Sequence, residues 1–300
     1  MPSWLIFAIL QPATLTVVNF TDKYILSKEI RDYRGFVIFM TIVSFIVGTL
    51  LWIVTGFPIL NLKDTLLILS VGILLLIGSL SYYKVMSEHD ASKVIFMFQA
   101  QPVFVLILSV IFLSESFSVR EGFGFLIILL ATVVASLMDS EGINFKAYRP
   151  LLLIVAADLL WAASSVLFKF LTDSHSFASL ISYESWGLSI AGGSLFLLFP
   201  SIRNAFLTSI RSFRKQTLAA VFGNELVYVI SRLIGYFAVS LGPVTLVNVI
   251  SGTGVFFGVI YGWILTLLFP TVFKEDTRKK TLSLKFALAA VVVIGIYLIS

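Results

Sequence analysis

The chain has 300 residues, 59% of them hydrophobic and 12% charged, with a net charge of +5 and a mean hydropathy of +1.03. An ordinary soluble domain carries roughly twice that charged fraction, so a water-solvated globule is excluded. The basic residues lie between apolar runs without aromatic interleaving, which argues against a nucleic-acid partner, and with no cysteine there is neither a disulfide nor a thiolate metal site.

The apolar residues come in runs of about 17 to 25, each enough to cross a hydrocarbon core of roughly 30 Å. In lipid every backbone amide needs an internal partner, so spans are helices or a closed barrel. Continuous apolar stretches such as Leu66 to Leu76 exclude the alternation of barrel strands. The expected fold is therefore an all-α integral membrane protein with ten transmembrane helices. In chain order they fall near 3–22, 36–55, 65–86, 91–113 and 121–138, then 151–172, 177–199, 217–241, 243–268 and 282–299. The first run has no basic leader and no small-residue cleavage site, and ends in polar Asn19, Thr21 and Asp22, so it reads as a retained span. The most polar break near the midpoint is 139–150, DSEGINFKAYRP, whose Pro150 can open the next helix because its missing N–H is not needed there. This divides the chain into two five-helix units, 1–138 and 151–300, joined by a linker at 139–150.

Lysine and arginine concentrate in alternate connections. Lys23, Lys28, Arg31 and Arg34 follow helix 1; Lys84 and Lys93 follow helix 3; Lys146 and Arg149 follow helix 5. Arg203, Arg211, Arg214 and Lys215 follow helix 7, and Lys274, Arg278, Lys279, Lys280 and Lys285 follow helix 9. Only Lys63, Arg120 and Lys169 lie on the opposite side, with Arg232 inside a span. Basic connections stay cytoplasmic, so both termini are expected to face outward from a multi-pass plasma (inner) membrane protein.

Residues Ala91 to Ser136 read ASKVIFMFQAQPVFVLILSVIFLSESFSVREGFGFLIILLATVVAS. The small-residue start at Ala91 and Ser92, Pro102 within the span, Glu115 just after it, and Gly122 and Gly124 opening the next helix together resemble the end of an EamA-type repeat of the drug/metabolite transporter superfamily. Leu159 to Leu171, LLWAASSVLFKFL, similarly resembles the opening helix of such a repeat. The two halves can be aligned on each other by matching Lys23 to Lys169 and Tyr83 to Tyr236. Glu115 meets Glu275 only across extra residues, and Pro102 has no counterpart, Gly254 or Val255 standing in its place.

An odd number of spans per repeat makes the second copy enter from the other side, giving inverted halves that can exchange conformations. The resemblance thus implies a secondary transporter working by alternating access on a small metabolite, an amino acid or similar zwitterion. It also implies cytoplasmic termini, against this chain's charge bias. In the related small multidrug proteins a membrane carboxylate lies about two turns before the lysine closing helix 1. Leu15 and Trp161 hold those places here, so that exchange mechanism does not transfer by position.

Ionisable groups at membrane depth are costly and default to functional candidates. Asp158, Glu184, Glu225 and Arg232 are the four. Glu225 and Arg232 share one face at i, i+7, about 10.5 Å apart along the axis, with Tyr228 between them. That face can line a cavity, offering a cation and an anion site and a carboxylate for proton coupling; equally it can form a buried packing network with Asn224, Tyr228 and Glu184. Asp158 and Glu184 are open to either role. Gln99 and Gln101 stand beside Pro102, and Thr245, Asn248 and Ser251 form a narrow polar stripe suited to substrate contact or interhelical bonding. Trp161 and Tyr236 are candidates for a cavity floor. Gly254, Gly258 and Gly262 read as a packing surface, and Lys23 and Lys169 as helix-end residues reaching the interface.

The expected partners are a small-molecule substrate and membrane lipid; a monomer suffices. No metal or cofactor is called for, since His89 and His175 sit singly in connections. The chain has no G-x-x-x-x-G-K-[ST] loop for ATP. An intramembrane enzyme would need a paired-aspartate or Ser/His constellation at depth, which the sequence lacks. The alternative reading is a passive channel or facilitator, or a non-transporting regulatory membrane subunit.

Overall fold

The structure is a computed structural model describing residues 2–30, 32–88, 100–137, 148–268 and 279–299. Those residues form helices and connections without a strand. Helix α1 spans Ser3–Lys28, α2 Phe36–Val54, α3 Leu62–Glu88, α4 Gln101–Leu113 and α5 Val119–Leu137. Then follow α6 Tyr148–Thr172, α7 Phe177–Leu198, α8 Pro200–Ser212, α9 Lys215–Leu241, α10 Val244–Ser251, α11 Gly254–Leu268 and α12 Lys279–Ile299. By length and composition 6 of the described helices can cross a membrane, counting Val244–Leu268 as one span.

Four expectations need correction. Helix 1 does not end at residue 22: no glycine or proline falls between Pro12 and Gly35, and helical hydrogen bonding continues to Lys28. The connection after helix 7 is itself helical. Pro200 starts α8 at an angle of 99° to α7, with Ile202 and Phe206 buried beneath exposed Arg211, the division expected of an interfacial helix. Helix 9 is broken at Gly252 and Thr253 between α10 and α11. The linker is also shorter than 139–150, since α6 already begins at Tyr148, with Pro150 in its first turn. Residues 91–99, the first half of helix 4, lie outside the described residues, as do Glu275 and His89.

Local signals set the remaining boundaries. Ser118 and Glu121 form a reciprocal capping box at the start of α5, Glu121 Oε2 accepting from Ser118 N at 2.8 Å and Ser118 Oγ from Glu121 N at 3.2 Å. The turn after α2 needs positive φ at Gly56 and Phe57, 79° and 60°. Before α2, Asp32 accepts from the Arg34 backbone and pairs with its guanidinium at 2.6 Å, which holds the Asp32 carboxyl below its ordinary range.

Helix α1 packs chiefly on α9, α2 on α7, α3 on both α6 and α7, α5 on α12, and α4 on α6 and α10. Glycines permit the closest crossings: a Cβ at Gly72 would collide with the backbone of α7 at Glu184, and one at Gly187 with the backbone of Leu69. Gly124 and Gly295 do the same for α5 and α12, each facing the other's backbone oxygen. The outward surface is apolar, with Ile59 and Val54 89% and 81% exposed, as expected where lipid is the solvent.

Lys23 and Lys169 do more than reach the interface. Lys23 Nζ donates to Met86 O at 3.2 Å, near the C-terminal end of α3, and Lys169 Nζ to Ser240 O at 3.4 Å, near the end of α9. Each ammonium meets a carbonyl at the negative end of a helix dipole.

Candidate functional site

The helices converge on a cavity of about 240 Å³, lined from α1, α3, α4, α6, α9, α10 and α11. On α1 the uninterrupted helix brings Gln11, Leu15, Asn19 and Asp22 to one face, and all four line the cavity. Opposite them stand Ser79, Tyr82 and Tyr83 of α3, Trp161 and Ser164 of α6, and Tyr228, Ser231, Arg232 and Tyr236 of α9. Gln101 and Pro102 contribute from α4, Asn248 and Ser251 from α10.

Several polar lining groups are held in place by hydrogen bonds to one another or to the helices behind them. Gln101 Nε2 donates to Asn248 Oδ1 at 3.2 Å, and Asn248 Nδ2 to Val244 O at 2.9 Å. Trp161 Nε1 donates to Leu75 O at 3.2 Å, and Ser164 shares a 3.0 Å contact with the Tyr236 hydroxyl. Tyr236 in turn stacks on Phe168 with ring centroids 4.1 Å apart. The Tyr82 hydroxyl lies 2.9 Å from Asn19 Oδ1 and 3.0 Å from Asp22 Oδ2. Asp22 Oδ1 accepts from Asn224 Nδ2 at 2.6 Å.

Arg232 is the cation of the site. Its guanidinium contacts Glu184 Oε1 at 3.3 Å, donates to Ser185 Oγ at 3.0 Å and lies over the Tyr228 ring at 5.9 Å from the centroid. Glu184 is fully buried at the α3–α7 crossing and is not among the lining residues. Arg232 thus reaches the cavity with its counter-ion behind it, and Nε and Nη1 have no hydrogen bond among the described residues. A guanidinium carries five donors in a fixed fork, so as a lining residue Arg232 can donate to an anionic oxygen as well as to Ser185.

Of the residues singled out in the sequence, Tyr228, Arg232, Gln101, Trp161 and Asn248 line the cavity, and Tyr236 and Ser251 join them. Glu225, Glu184 and Asp158 do not. Asp158 is buried beside the Ala100 backbone amide, its two oxygens outside good hydrogen-bond geometry with the described residues. Gln99 lies outside the described residues. Thr245 leaves the stripe for interhelical bonding, its hydroxyl 2.6 Å from Ser109 Oγ and 2.9 Å from Glu115 Oε2. The sequence reading missed Asn19, Asp22, Tyr82 and Ser164. The signal for the first two was the absence of any breaker before Gly35.

The end of the bundle away from Asp22 is closed. A Cβ at Gly242 would strike the Trp4 ring, Phe7 meets Phe237 edge-on at 4.8 Å, and Phe237 meets Phe177 at 5.2 Å. Here Glu115, in the loop after α4, caps α10: Oε1 accepts from Val244 N at 2.7 Å. A carboxylate is well placed at the positive end of a helix.

Residues 3–137 match the model of the EamA-like transporter family, which bears out the resemblance read from the sequence. No curated protein matches. A solved structure described as "Crystal structure of protein" is similar over 99% of this chain and 96% of its own, with a TM-score of 0.67 and 16% identity. At that identity the likeness concerns the fold alone.

Proposed function

We propose that this EamA-type chain is a secondary transporter that moves a small zwitterionic metabolite by alternating access through the central cavity. The observation that carries the reading is Arg232, a buried guanidinium among the lining residues of a cavity walled by both halves of the chain. It offers an anion contact for a substrate carboxylate. Asp22, the carboxylate among the lining residues, offers the cation contact, and Trp161, Tyr82 and Tyr236 supply flat apolar walls.

Two inverted five-helix units, 1–138 and 151–300, supply the motion. Exchanging helices 1–5 with 6–10 turns the α1–α9 contact into α6–α3 and leaves α2–α7 and α5–α12 unchanged, and all of these pairs pack, while the α3–α7 contact has only a smaller counterpart in α9–α2. The same exchange relates the bond from Lys23 to the end of α3 to that from Lys169 to the end of α9. This supports ten spans related by an axis in the membrane plane. In alternating access the closed end opens as the cavity's other end shuts.

The orientation follows the charges. The interfacial helix α8 packs on the Tyr33–Gly35 turn, which brings the basic connections after helices 1 and 7 to one end. We place that end in the cytoplasm and both termini outside. A reporter active only in the cytoplasm, fused after Ser300, is expected to be silent; strong activity would reverse the assignment.

Transport itself is tested by counterflow in proteoliposomes against a panel of amino acids and other small metabolites. Wild type is expected to exchange at least one zwitterion, and Arg232→Gln to lose most of that exchange, with the largest loss for substrates bearing a carboxylate. Equal exchange by both proteins would remove Arg232 from the site. Exchange of none of the panel by wild type would defeat the transporter reading for this substrate class.

A further inference from the structure

At the α1–α9 contact two carboxyl groups from the two halves of the chain lie within electrostatic reach of each other. Asp22 is 2% exposed and lines the cavity; its oxygens are engaged by Asn224 and Tyr82. Glu225 follows Asn224 in α9, is 1% exposed, and neither of its oxygens has a hydrogen-bond partner among the described residues. Its charged neighbours are Asp22 from α1 and Arg232 from its own helix, and Tyr82 and Tyr83 of α3 and Tyr228 of α9 also face it. Arg232 is two turns away and already contacts Glu184. Lys23, next to Asp22, donates to the Met86 carbonyl.

We propose that Asp22 and Glu225 form a proton-binding site that holds one exchangeable proton between the two halves of the chain. Two neighbouring carboxylates without a counter-ion of their own repel each other, and taking up one proton relieves the repulsion. Asn224 and Tyr82 occupy the Asp22 oxygens, so the open position is on Glu225. The proton passes from cavity water to a Glu225 oxygen and returns the same way; no other bond forms or breaks. Because Asp22 lines the cavity and Glu225 lies behind it, the site joins proton binding to the surface that would contact substrate. In this it rests on the transport reading, although proton binding itself can be measured without a substrate. The pair titrates as a unit, so its behaviour belongs to both residues.

The test uses full-length protein in liposomes and infrared difference spectra of the protonated-carboxyl stretch across a pH series. Wild type should show a reversible titrating band. Glu225→Gln, which keeps the side chain's shape, should abolish it, and Asp22→Asn should move its midpoint by about one pH unit or more, as removal of a close like charge does. If Glu225→Gln is not monodisperse after purification, the Asp22→Asn shift decides alone. An unchanged band in both variants overturns the proposal. So does a midpoint in wild type that moves when choline chloride is exchanged for sodium chloride, which would make the site one for a metal cation. If the band behaves as expected but wild type exchanges no metabolite in counterflow, the proton site stands and the transport reading fails.

Discussion

The Arg232–Glu184 contact is a costly buried pair, held by packing at the edge of the proposed substrate site. Both groups are buried, and removing one partner of such a pair leaves an uncompensated charge, at a cost of about 3–5 kcal/mol. Arg232→Met is therefore expected to lower the melting temperature of the purified protein sharply. Adding Glu184→Gln should recover most of that loss, because the stranded charge is gone, while transport stays absent. A double variant as unstable as Arg232→Met would mean that the guanidinium acts through Ser185 and Tyr228 packing instead. The expense of such residues made Arg232 and Glu184 visible in the sequence. Which face each one served was not visible: Glu225 and Arg232 share a helical face, yet only Arg232 reaches the cavity. A helix seven residues along presents the same side, but α1 and α3 cover that side unevenly.

Element boundaries decided how much of the site could be read. Ending helix 1 at 22 left Asn19 and Asp22 in a polar exit, and extending it to Lys28 turns both into wall residues. Hydropathy fades over Asn19–Lys23, whereas hydrogen bonding does not, because only proline or a strongly competing turn would stop it. Helix 8 of the structure was hidden for the opposite reason: Pro200–Ser212 is amphipathic and short, so a search for continuous apolar runs passes over it. By contrast Glu115, noted only as part of a resemblance, has a local physical role as the cap of α10. Glu115→Ala should cost about 0.5–2 kcal/mol, read as a modest drop in melting temperature with the protein still monodisperse. The α3–α7 crossing should be far less tolerant. Gly187→Leu sets a side chain against the Leu69 backbone, which cannot retreat without separating the helices, so loss of monodisperse protein in size-exclusion chromatography is expected. Gly193→Leu, where an added Cβ meets nothing within 4 Å, is the control that should behave as wild type.

For the whole molecule, the proposed alternating access requires the closed end to open. At that end α4 of the first half and α10 of the second meet through Ser109 and Thr245, whose hydroxyl oxygens are 2.6 Å apart. Glu115, in the loop after α4, binds Thr245 as well, so first-half residues hold the start of α10 by side-chain bonds added to apolar packing. Such a contact can separate as a unit if the halves rock about the cavity. The chain contains no cysteine, so Ser109→Cys with Thr245→Cys introduces a single thiol pair against a clean background. Two thiols placed where the hydroxyls touch satisfy the short approach a disulfide requires. Oxidation is expected to join them in most molecules, to stop exchange of any substrate that wild type carries, and to be reversed by dithiothreitol. Each single-cysteine variant should exchange with or without oxidant. Full exchange by the cross-linked double variant would mean that α4 and α10 stay together throughout the cycle, and the moving boundary would then have to lie elsewhere, with the α1–α9 contact and its two carboxyls the next place to cross-link.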